Sequence, residues 1–271
     1  MLSRENQRSR ILFHRSDEPT VNLKRKRWLR WLFTVAIVTV FFVSIAAIVY
    51  LKIPAFRRAV RIASYKIGPV PAAMILNTVA VKLDVPFHRQ EHALSCEVAA
   101  LKMVLDYYGV AVSEAELIAA LPFATREPRG KNNVWGDPDV GFVGDINGIS
   151  PTTGYGVYTA PIAALAAKYR AARVLSGATM TKVLQEVAGG HPVIVWGTLS
   201  SGRDTSWVTP EGKRIKAIVG EHTRVAVGFT GSLQEPDGVL LLDPIYGAIT
   251  MTKKKFSSNW GLLGNKAVVV Y

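Results

Sequence analysis

The chain has 271 residues, 49% of them hydrophobic, which excludes a disordered segment and leaves room for one good-sized core plus an appendage. The net charge of +13 invites a nucleic-acid partner, but residues 1–66 hold 14 Lys/Arg against 3 Asp/Glu, and the remainder holds 19 against 17. The body is nearly neutral, so nucleic acid is not an expected partner.

Residues 1–30 read as a basic cytoplasmic tail. From Trp31 to Leu51 runs WLFTVAIVTVFFVSIAAIVYL, 21 residues without a charge, long enough as a helix to span a bilayer. KRKRWLR precedes it, with Trp28 and Trp31 where interfacial aromatics sit. A cleaved signal peptide would have a shorter apolar region and a small-x-small cleavage site, so the expectation is an uncleaved signal anchor that places the chain in the cell membrane as a single-pass protein. Nine Lys/Arg before the span put the N-terminus in the cytoplasm and the remainder outside it. Residues 52–76 form a basic juxtamembrane linker. Phe56, Ala59, Val60 and Ala63 share a helical face opposite arginines, so this stretch reads either as a helix on an anionic membrane surface or as a solvated linker. The single cysteine forms no internal disulfide and is silent on the redox compartment.

The globular domain is expected over 77–271. Val79, Val81, Leu83 and Val85 alternate with polar residues, a half-buried strand ended by Pro86. QEHALSCEVAALKMVLDYYG follows, with Leu94, Val98, Leu101, Leu105 and Tyr108 at helical intervals, Ser95 as N-cap and Gly109 as stop. Cys96 falls in the first turn, where the helix dipole favours an anion; this predicts a lowered thiol pKa and a nucleophile, against the plainer reading of a packed small hydrophobe. Gln90, six residues earlier, is placed to donate with the Cys96 amide to an oxyanion. Phe123–Tyr158 is glycine-rich and irregular, with Trp135, Phe142, Tyr155 and Tyr158 as anchors of an ordered loop beside a cleft. Asp137, Asp139 and Asp145 fail the spacing of a calcium loop. Helices are expected at Pro161–Arg170 and Ala178–Gly190. Strands are expected at Val193–Gly197, around Ile215–Val219, and at Val225–Phe229, Val239–Leu242 and Lys266–Tyr271. His222 opens one apolar strand and Asp243 ends another. His88 and His92 lack metal partners in the sequence, so no metal and no cofactor are expected.

The order thiol on a helix, imidazole, then carboxylate on following strands resembles papain-type cysteine peptidases. More closely, VPFHRQEHALSCEVAALKMVLDYYGV, WGDPDVGFVGDINGISPTTGYGVY, HPVIVW, GEHTRVAVGF and LLDPIYG resemble the bacteriocin-processing (double-glycine) branch, cysteine peptidase family thirty-nine, and its stand-alone relatives. The resemblance covers Asp84 to Tyr271. It implies an α+β papain-like fold, here preceded by one transmembrane helix. It also implies Cys96 as nucleophile, His222 as base and acid, Asp243 as its orienter, Gln90 as oxyanion donor, and a polypeptide substrate. Transporter-fused members carry Asp-Cys-Gly at the nucleophile; this chain carries Ser95-Cys96-Glu97 and no Walker-type ATP motif. The expected function is a membrane-anchored cysteine peptidase. The alternatives are a catalytically silent peptide-binding module, or an amidase or acyl transferase acting on cell-wall or small-molecule amides.

Overall fold

VIVWGT and AVVV are apolar without alternation, the pattern of strands covered on both faces. The computed structural model, which describes residues 79–175, 177–200 and 202–271, places them in that setting. The elements in chain order are β1 (Val79–Lys82), α1 (Cys96–Tyr107), α2 (Glu114–Ala120), β2 (Phe123–Thr125), β3 (Phe142–Val143), α3 (Thr159–Ala166) and β4 (Ala172–Val174). Next come α4 (Met180–Ala188), β5 (Val193–Thr198), β6 (Asp204–Val208), β7 (Arg214–Ile218) and β8 (Glu221–Gly231). The chain closes with β9 (Pro236–Asp243), β10 (Gly247–Thr252), α5 (Lys253–Gly261) and β11 (Ala267–Val270).

The main sheet runs β10-β9-β8-β5-β11-β4, with β1 also paired to β8, and every pairing in it is antiparallel. Period-two alternation sorts its side chains cleanly. Ile194, Trp196, Val225, Val268 and Val270 face α1 and α3, packing on Val98, Leu101, Leu105 and Ile162. Val193, Val195, Ala226, Ala267 and Val269 face α4 and α5, packing on Leu184, Val187, Phe256 and Trp260. This is the expected α+β architecture.

Helix α1 begins at the expected thiol, but it is buried more widely than one stripe: Ala99, Ala100, Met103 and Val104 are as inaccessible as Val98 and Leu101. Ser95 stands at the N-cap position without capping; its hydroxyl donates instead to Glu114 Oε1 at 2.5 Å. Gly109 ends the helix at φ +75°, the left-handed conformation that glycine adopts without strain. The irregular insert is ordered as expected. Trp135, Tyr155 and Trp207 meet edge-on, with Trp135–Trp207 ring centroids 5.2 Å apart, and this locks the β6–β7 hairpin onto the insert. Asp137 and Asp139 pair with Lys213 at 2.8 and 3.3 Å. Among the described residues no helix is long and apolar enough to cross a membrane; the span expected at 31–51, and the tail and linker around it, lie outside them.

Candidate active site

Helix α1 delivers Cys96 end-on to the first residues of β8. The thiol is 4% exposed. Its Sγ donates to Glu97 Oε2 at 3.3 Å and lies against the Thr223 amide, with the Glu221 carboxyl in the same pocket. The donor atoms of Cys96, Glu97 and Glu221 all fall within 4.8 Å of one another. Burial, then the negative charge of Glu97 and of Glu221, push the thiol pKa well above its ordinary value. This corrects the expectation of a lowered value: the dipole of α1 is outweighed by desolvation and two carboxyl groups.

His222 and Asp243 come together, as the chain order suggested they would. His222 Nε2 lies 3.0 Å from Asp243 Oδ2, although no aligned hydrogen bond joins them. Arg224, which sequence reasoning overlooked, donates from Nε to the same oxygen at 2.7 Å. Its signal was present in GEHTRV: two residues along a strand from His222, it must share that residue's face. Asp243 Oδ1 accepts from the amides of Ile245 and Tyr246 at 2.8 and 3.2 Å. Burial opposes ionisation of Asp243, but His222, Arg224 and these amides prevail and hold it below the usual carboxylate range. For His222, burial lowers the pKa while Asp243 works to raise it, and burial wins. The two partners thus pull differently. Because Arg224 is a permanent cation on the shared oxygen, Asp243 stays ionised whether or not His222 is charged, and the neutral imidazole follows.

The alternation that unites this group separates it from the thiol. Glu221 and Thr223, joined by a 3.2 Å hydrogen bond, face α1 like Val225. His222 and Arg224 face the other way, where Arg224 reaches the Thr198 carbonyl and Asn259 of α5. Among the described residues no hydrogen bond links Cys96 to His222. The two sit on opposite sides of the same strand end.

Gln90 is buried in the loop before α1, and its carboxamide donates to the carbonyls of His92 and Ala93 at 2.7 and 3.1 Å. Its own amide donates to the Pro244 carbonyl at 3.0 Å, tying this loop to the residue after Asp243. His88 is better partnered than the sequence suggested. Its Nε2 lies 2.7 Å from Glu114 Oε2 and 3.7 Å from Glu91. Those three bring ligand atoms close together, but Glu114 already accepts from Ser95 and the Glu91 amide, so protein hydrogen bonds use the oxygens a cation would need. His92 contacts Asn147, and His191 packs on Tyr271 with Nδ1 at 3.1 Å from Tyr108 Oη.

Comparison with known proteins agrees with this arrangement of elements. A crystal structure described as a C39-like peptidase from Bacillus anthracis is 29% identical, with a TM-score of 0.62 over 70% of this chain and 96% of that one. Protein YvpB of Bacillus subtilis, itself uncharacterized, is 33% identical over 205 residues, 70% of this chain and 76% of YvpB. A double-glycine motif protease from an AMS/PCAT transporter, solved with its leader peptide, is more remote at 16% identity and a TM-score of 0.38, over 72% of this chain and 95% of that one. The family model described as Peptidase_C39 like family matches residues 82–268, and the chain belongs to that family.

Proposed function

We propose that this protein is a membrane-anchored cysteine peptidase in which Cys96 attacks a peptide carbonyl and the His222–Asp243 pair supplies acid–base chemistry. The supporting observation is the meeting of α1 and β8: the thiol lies against the backbone of Thr223, one residue from His222, whose imidazole is braced by Asp243. In this reading His222 takes the thiol proton as Sγ bonds to the carbonyl carbon, gives it to the leaving amine as the C–N bond breaks, and then draws a proton from the water that releases the acyl enzyme. Rearrangements precede attack. The thiol turns about χ1 away from the carboxyl groups, and the first residues of β8 twist to bring the His222 imidazole round to its side. Gln90 turns its carboxamide from the His92 and Ala93 carbonyls to serve the oxyanion with the Cys96 amide. Residues 31–51 tether the domain, and the basic tail keeps the N-terminus cytoplasmic.

A second reading is favoured by one observation, that among the described residues no imidazole hydrogen-bonds to the thiol: a peptide-binding module whose cysteine performs no chemistry. Labelling of the full chain by a thiol-directed peptide electrophile separates the two. The peptidase reading expects covalent labelling at Cys96, abolished by Cys96→Ala and slowed about 10²-fold or more by His222→Ala. Peptide binding without labelling would sink the peptidase reading and leave the binding module.

A further inference from the structure

One part of this site is idle in the chemistry above. Glu97 and Glu221 are both buried, at 0% and 7% exposure, and among the described residues neither forms a salt bridge. A carboxyl oxygen of each lies within 4.8 Å of the other's, in the pocket that holds the Cys96 thiol. Two buried carboxyl groups this close repel each other when both are ionised, so one of them keeps a proton. The surroundings are shaped to hold the two groups together. The Val157 amide donates to Glu97 Oε1 at 2.7 Å, and Thr223 Oγ1 donates to Glu221 Oε1 at 3.2 Å. Gly156, at φ +150°, passes so close that a Cβ there would meet Glu97 Oε1 at 2.5 Å and Glu221 Oε2 at 2.6 Å. The Cys96 thiol then donates to the remaining Glu97 oxygen.

We infer that Glu97 and Glu221 share one proton and act as a positioning pair that holds Cys96 as a neutral, inward-turned thiol while the site is empty. The inference rests on Cys96 being the nucleophile proposed above, and it names what restrains that nucleophile. A pair carrying one proton bears a single negative charge. It therefore accepts the S–H bond and, by the same charge, opposes formation of a thiolate beside it. Other ionisable groups facing the pair do not supply the missing cation. Tyr155 and Tyr158, from the segment before α3, are pushed up by burial and stay neutral, and Arg224 on β8 is spent on Asp243. A peptide that draws the thiol out of this pocket removes it from the pair's field, which confines the reactive form to the occupied site.

Cys96 is the sole cysteine, so in a chain labelled with ¹³C at cysteine Cβ that resonance reports the thiol titration alone. In the full chain, the double variant Glu97→Gln/Glu221→Gln should move the thiol titration down by about one unit or more, the effect of deleting the pair's one negative charge. An unchanged or raised titration overturns the inference. Should that variant fold poorly, the wild-type protein carries the test. With glutamate ¹³C-labelled at the side-chain carboxyl, one resonance should titrate near pH 7, the value of about 7 to which burial raises Glu97. If every glutamate titrates in the ordinary range, no proton is shared. Neither measurement uses a substrate. A chain that shows both signatures without peptide labelling refutes the peptidase reading alone, and one that labels without them refutes the pair alone.

Discussion

At the scale of single residues, one carboxylate oxygen does two jobs. Asp243 Oδ2 receives Arg224 at 2.7 Å and His222 at 3.0 Å in a fully buried setting. Removing it leaves the guanidinium buried and uncompensated. Asp243→Ala should therefore cost about 3–5 kcal/mol of stability, read as the shift of a urea transition, and Arg224→Met in the same chain should recover much of it. A cost under about 1 kcal/mol would mean that Asn259 and the Thr198 carbonyl already satisfy Arg224. The pH dependence divides between the two faces of the strand. His222 has its folded pKa lowered from 6.5, so its contribution is present above that value and is lost as the pH falls below it. Glu97 is raised from 4.5 to about 7, so its contribution is full below pH 4.5 and lost as the pH rises through about 7. Glu97→Gln should accordingly lose less stability than the wild type between pH 5 and pH 8, by a difference on the order of 3 kcal/mol. Identical urea midpoint shifts for the two proteins would count against a raised Glu97.

At the scale of elements, the small helix α2 supports the loop that leads into Cys96. Ser113 Oγ accepts from the Glu116 amide at 3.1 Å while Glu116 Oε2 accepts from the Ser113 amide at 2.8 Å, a reciprocal cap. This S-x-x-E signature is legible in the sequence at Ser113–Glu116, between α1 and the glycine-rich insert. The first residue of α2, Glu114, receives the Ser95 hydroxyl and the Glu91 amide, so the cap of α2 fixes the loop that precedes Cys96. Ser113→Ala should lower stability by about 1 kcal/mol. It should also raise hydrogen exchange at the Glu91 amide; protection there at the wild-type level would show that α2 holds its place without the cap.

At the scale of the whole molecule, a single antiparallel sheet with helices on both faces sets the site's geometry. Strand β9 ends at Asp243 and pairs with β8 from Val225 onward, so Glu221, His222 and Thr223 run beyond its edge. There α1 presents its N-terminus from one side and the His222–Asp243–Arg224 group lies on the other. The tether gives a prediction at this scale too. With nine basic residues before the proposed span, a protease added outside intact cells or spheroplasts should reach the domain after Leu51. Protection until the membrane is permeabilised would reverse the topology.

The sequence by itself determined the α+β class, the helix that starts at Cys96, the strands carrying His222 and Asp243, and the family. Each of these rests on local periodicity or on a short motif, and such signals survive without coordinates. Two buried valine-rich strands were also legible, because VIVWGT and AVVV have no polar face. What the thiol touches was not legible. Glu97 follows Cys96 directly, but Glu221 and Gly156 lie far away in the chain, and only the packing of α1 against β8 and the insert brings the three together. The same packing decided which face of β8 meets the helix. A one-residue change of register would have exchanged Glu221 for His222, and no local pattern in GEHTRV chooses between them. The thiol's pKa follows from that choice, since helix position alone predicts a lowered value and the burial and charge of the assembled pocket raise it.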